Sequence, residues 1–83
     1  NKGDNTYPCE DEGRIVVKIM VDRKGKVIRA TPGVRSDNGI ASTTTSDCLF
    51  DLARDKAMKT LWQADASANE LQKGYIIYNF YKS

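Results

Sequence analysis

From Arg14 onward the chain alternates: Ile15, Val17, Ile19 and Val21 fall on one side, and Arg14, Val16, Lys18, Met20 and Asp22 on the other. That period of two predicts a half-buried strand over residues 14–22. After the polar stretch Asp22-Arg23-Lys24-Gly25-Lys26, where the glycine is free to take positive φ, a β-type pattern resumes over residues 27–31. The pair reads as a hairpin that Pro32-Gly33 stops. Residues 33–45, rich in Ser, Thr, Asn and Gly, are expected to form a mobile loop without structure of its own, of a length that suggests disorder or binding.

Ser46 or Asp47 can then cap a helix expected to run to about Leu61. On its wheel Leu49, Leu52, Ala53, Ala57, Thr60 and Leu61 gather on one side with Phe50 at the edge, opposite Asp51, Arg54, Asp55 and Lys59. Met58 falls on the polar side, and Trp62 at the helix end reads as a ring covering the edge of a small core. Residues 63–73 are polar and alanine-rich, a second connecting loop. A third strand follows over residues 74–81, with Ile76, Tyr78 and Phe80 on one face and Tyr75, Ile77, Asn79 and Tyr81 on the other. Strand, strand, helix, strand predicts an α+β domain of two layers, a three-stranded antiparallel sheet with the helix packed on one face.

The chain has 83 residues, enough for one core. Residues 1–12 are mostly polar and read as an extended lead-in, leaving 13–83 as the domain. A net charge of +2 with scattered basic residues gives no nucleic-acid footprint. No stretch of these residues approaches the roughly 20 apolar residues of a membrane span or has the charged-then-apolar pattern of a secretory leader, and an anchor or leader of the full protein is expected to have been removed. Cys9 and Cys48 are the only cysteines and there is no histidine, which argues against zinc. In an oxidising compartment the two could form one disulfide; the alternative is two unrelated thiols.

Catalytic chemistry is not legible, and no enzyme or cofactor is expected. Glu10, Asp11 and Glu12 lie on a polar segment with no cavity to perturb them, and Thr43, Thr44, Thr45 and Ser46 have no adjacent base. Neither nucleotide-binding glycine pattern occurs. Arg14, Lys18, Lys24, Lys26 and Arg29 around the hairpin, with Tyr75 and Tyr81, permit a sheet-type nucleic-acid reader, but lysines on exposed strands equally guard against aggregation. What remains is an edge. An open three-stranded sheet leaves unpaired backbone groups on its outer strands, and an extended peptide can add there. The last strand is the better candidate, being aromatic, free of proline and guarded by Lys82 alone near its end; the alternatives are cover by the N-terminal segment or a strand-mediated homodimer.

Three motifs in order carry a family resemblance. Glu12-Gly13-Arg14-Ile15-Val16-Val17-Lys18-Ile19-Met20-Val21-Asp22-Arg23-Lys24-Gly25-Lys26-Val27, the helix with Ala53, Ala57 and Trp62, and Gln72-Lys73-Gly74-Tyr75-Ile76-Ile77-Tyr78-Asn79-Phe80 together resemble the C-terminal domain of TonB-type energy transducers, especially Bacteroidetes-like versions. The resemblance runs from about Tyr7 to Lys82. It implies a periplasmic domain of an inner-membrane-anchored protein, driven through its missing N-terminal part by a proton-powered ExbB/ExbD-type complex. Such a domain would bind the TonB box of outer-membrane receptors by strand addition and transmit force for siderophore or nutrient uptake. The implied contact residues are Tyr7 and Pro8 ahead of the first strand and Tyr75, Ile76, Ile77, Tyr78, Asn79, Phe80 and Tyr81 on the last. Both cysteines and the long Ser/Thr loop depart from the family pattern. A similar module can also be appended to a membrane sensor or peptidase.

Overall fold

The computed structural model describes residues 9–64, 67 and 70–81. Strands β1 (Gly13–Asp22) and β2 (Val27–Pro32), helix α1 (Asp47–Met58) and strand β3 (Leu71–Phe80) follow one another along the chain. This is the expected α+β class, an antiparallel three-stranded sheet with one helix. Across the sheet the order differs from the chain order: it is β2-β1-β3, with the first strand in the centre.

Central placement explains why β1 is the most apolar strand. Ile15, Val17, Ile19 and Val21 point to the helix and join Val27, Leu49, Ala53, Ala57 and Phe80 in the core. The buried stripe of α1 is Leu49, Ala53 and Ala57, spaced by four, and the two alanines let the helix backbone approach the sheet closely. The helix lies over β1 and β2 and barely reaches β3. Its start follows the expected chemistry, since the Ser46 side chain accepts a hydrogen bond from the Leu49 amide at 3.2 Å.

Its end does not. The helix stops at Met58, short of Leu61, because the Thr60 amide falls back on the Ala57 carbonyl (3.1 Å) and the Thr60 hydroxyl donates to the Lys56 carbonyl (3.0 Å). The chain then turns to run beside the hairpin. Leu61 forms a β-bridge with Lys26, and the Trp62 amide donates to the Gly25 carbonyl at 2.8 Å. Leu61, expected on the buried face, is 82% exposed in consequence.

Residues 33–45 are ordered by hydrogen bonds, contrary to the expectation of a mobile loop. β2 ends at Pro32, opposite Val17, so the first half of β1 has no strand beside it on that side. The loop supplies the missing partners. The Val16 carbonyl accepts from Gly33 and Val34, the Arg14 carbonyl accepts from Thr43, and the Arg14 and Val16 amides donate to the hydroxyls of Thr43 and Ser42 at 2.8 and 2.9 Å. Hydroxyls stand in here for strand carbonyls, which gives the Ser/Thr composition a physical reason. Between Arg35 and Ala41, which form a bridge, Ser36 closes a small hairpin: its amide donates to the Ile40 carbonyl and its hydroxyl accepts from the Ile40 amide.

Of the lead-in, Glu10, Asp11 and Glu12 are exposed, as a polar extended segment should be, but Cys9 packs. Cys9 is buried in the core and bonded to Cys48 in the first turn of α1, which settles the open pairing in favour of a disulfide.

Candidate functional site: the outer edge of β3

β3 pairs with β1 over its whole length, from Gly13 opposite Phe80 to Asp22 opposite Leu71, with no bulge. In an antiparallel ladder alternate residues turn their N–H and C=O to opposite sides. On β1, Arg14 and Val16 face the β2 side, where the loop satisfies them. The odd-numbered residues of β1 therefore face β3, and across the ladder they meet Gln72, Gly74, Ile76, Tyr78 and Phe80. The backbone groups of Leu71, Lys73, Tyr75, Ile77 and Asn79 consequently point outward. Among the described residues nothing pairs with them.

The two sheet edges are not equivalent. β2 has six residues, a bulge where Ile28 is inserted opposite the Met20/Val21 step, a proline at its end, and residues 61–62 running alongside its start. Each of these features discourages pairing. β3 is ten residues long and has none of them.

The side chains of β3 divide between the two faces of the sheet. Toward the helix, Ile76 and Tyr78 are half-buried against the core, and the Tyr78 and Phe80 rings stack with centroids 5.9 Å apart. Because α1 barely reaches this strand, that face forms an apolar shelf beside the open edge. On the other face the tip of the 35–41 hairpin reaches across the sheet. The Tyr75 hydroxyl donates to Asp37 Oδ1 at 3.0 Å, Lys73 Nζ lies 3.4 Å from Asp37 Oδ2, and the ammonium sits 5.9 Å from the centroid of the Tyr75 ring. The hydrogen bond from Tyr75, aided by Lys73, holds the Asp37 carboxyl below its ordinary value; the same bond, with partial desolvation and the carboxylate charge, raises the Tyr75 phenol.

Of the residues expected at the site, Tyr75, Ile76, Ile77, Tyr78, Asn79 and Phe80 lie on β3, and Tyr81 follows its end, 63% exposed. Tyr7, Pro8 and Lys82 lie outside the described residues. The strand begins at Leu71, earlier than the expected Gly74, so residues 71–73 add to the edge. All three are exposed and show no apolar–polar alternation, although their ladder with β1 continues unbroken through Gln72 to Leu71. Asp37 was not legible, since nothing local marks a loop aspartate as the partner of a tyrosine 38 positions away. Among the described residues no group of three or more His, Cys, Asp or Glu side chains could hold a metal.

Fold and site together define an α+β domain whose last strand has an open outer edge among the described residues. In comparisons with known proteins, no family model, curated protein or solved structure matches the chain.

Proposed function

We propose that this domain is a non-enzymatic binding module that captures an extended segment of a partner protein as a fourth strand on the outer edge of β3. The observation that carries the reading is the asymmetry of the edges: β2 is short, bulged and proline-ended, while β3 is long, regular and open. Each of Lys73, Tyr75 and Ile77 offers both an outward N–H and an outward C=O, so an added strand gains its hydrogen bonds from the main chain, with little dependence on sequence. The apolar shelf of Ile76, Tyr78 and Phe80 then favours apolar side chains at alternate positions of the guest.

The resemblance of the hairpin, helix and closing-strand motifs to TonB-type transducers supplies the particular partner in this proposal. The guest is the TonB box of an outer-membrane receptor, and the domain is the periplasmic end of an inner-membrane-anchored protein coupled to an ExbB/ExbD-type complex. A small main-chain interface suits that work, because it is reversible and serves several receptors.

The test is an NMR titration of the isotope-labelled domain with synthetic receptor box peptides. Shifts concentrated on residues 71–81 support the reading. No shift with any of several boxes, alongside shifts at the same residues with other extended peptides, would retain strand addition and point instead to a module appended to a sensor or peptidase. No response of β3 to any extended peptide would overturn strand addition itself.

A further inference from the structure

On the face of the sheet opposite α1, the 35–41 hairpin reaches Tyr75 and Lys73 but leaves an open depression toward the other end of the strands. Its lining is Lys18 and Met20 from β1, Ile28 and Arg29 from β2, and Leu71 from β3, so all three strands contribute. The floor is apolar and accessible: Ile28 is 46% exposed and Leu71 42%. The bulge has a direct part in this, since Ile28 is the inserted residue of β2 and is left without a partner on β1.

The charged side chains that line the floor, Lys18 and Arg29, are both positive. Lys73, on the same face, is ion-paired with Asp37, whose charge Lys18 also feels from farther away, whereas neither Lys18 nor Arg29 forms a close ion pair among the described residues. Asp22, at the end of the same face, has its Oδ1 occupied by the Lys24 and Lys26 amides at 2.9 and 3.0 Å. Two unpaired cations flanking exposed aliphatic side chains are complementary to a segment that carries carboxylates beside apolar residues.

We infer that this depression is a second docking site, separate from the β3 edge, for an acidic, apolar segment of a partner protein, with Lys18 and Arg29 receiving its carboxylates and Met20, Ile28 and Leu71 its apolar side chains. The inference does not depend on what adds to β3. Strand addition uses the outward main chain of residues 71–79, while this site uses side chains on one face of the sheet, and Leu71 alone belongs to both.

The experiment is a titration of the intact chain, followed by amide shifts, with a six-residue peptide alternating glutamate and leucine and with its lysine/leucine counterpart. The expected result is shifts at Lys18, Met20, Ile28, Arg29 and Leu71 with the acidic peptide only. Binding should weaken about tenfold in the Lys18→Glu/Arg29→Glu double variant, where two charge contacts become repulsive. Ile28→Ser, at a position outside the buried core, should also weaken it. Ile77→Pro, which blocks the outer edge of β3, should leave it unchanged. The inference is overturned if the acidic peptide gives no shifts at these residues, if its shifts map to residues 75–79 and vanish in Ile77→Pro, or if heparin and anionic vesicles bind the site and the peptide does not.

Discussion

At Gly25 the backbone takes φ +87°, and a Cβ there would lie 1.9 Å from the carbonyl oxygen of Trp62 and 2.8 Å from its carbonyl carbon. Both are main-chain atoms, held in place by the Trp62 amide bonding back to Gly25. Gly39 has a similar φ of +90° but nothing within 4 Å. Gly25→Ala should therefore destabilise the domain by about 3 kcal/mol, strain plus a displaced segment, and Gly39→Ala by only about 1 kcal/mol, strain alone. Urea denaturation of both variants beside the parent checks the difference.

Asp37 makes a pH signature at the same scale. Its carboxyl is held below the ordinary 3.8, so the contact stabilises the fold fully above that value and is lost as pH falls through the depressed folded value. The Tyr75 phenol is raised above 10.0, so its contribution is present below 10.0 and is lost as pH rises through the raised value. Asp37→Ala should flatten both ends of the stability profile. In an alkaline ultraviolet titration it should also bring the Tyr75 phenol back toward 10.0.

Among the elements, β3 bears the functional reading, and its two sides can be separated by substitution. Ile77 turns its backbone outward, so Ile77→Pro removes a donor that β1 never used. The domain should stay folded, within about 1 kcal/mol of the parent, because proline is tolerated on an outer edge. Capture of an extended peptide should fall below detection by calorimetry. Ile76→Pro, which strips a donor from the β1 ladder, should instead cost about 3 kcal/mol or more of stability.

The elements also divide by how far their causes reach along the chain. The alternation of β1 and the turn at Gly25 are local and legible in sequence, as is a cap at Ser46 or Asp47, of which the structure uses Ser46. The early end of α1 depends on residues 61–62 pairing with the 25–26 turn, a contact between distant segments. The order of residues 33–45 escapes a sequence reading for a related reason: their Gly, Ser and Asn content and lack of alternation mark a loop, yet here the Ser42 and Thr43 hydroxyls complete a neighbour's ladder. At the site, the aromatic stretch of β3 was legible in sequence. The strand's first residues, the Asp37 contact and the depression beneath Ile28 were not, because each exists only once three strands lie side by side.

For the molecule as a whole, the disulfide links segments 39 positions apart, joining the lead-in to the start of the helix. A domain this small has little core to spare, so reduction should cost roughly 2–4 kcal/mol. Thermal unfolding with and without reductant measures that loss.

The same bond changes how the molecule carries tension. A pull entering ahead of Cys9 and leaving beyond Phe80 has a covalent short cut from Cys9 to Cys48, so β1, β2 and the 33–45 segment sit inside a closed ring that cannot be drawn out. When the oxidised domain gives way in a stretching instrument, its length gain should be shorter than that of the reduced domain by roughly 130 Å, about the contour of the sequestered residues. The central strand can lose its partners under load without being paid out as slack, and only the helix, the connection after it and β3 lie in the extensible line.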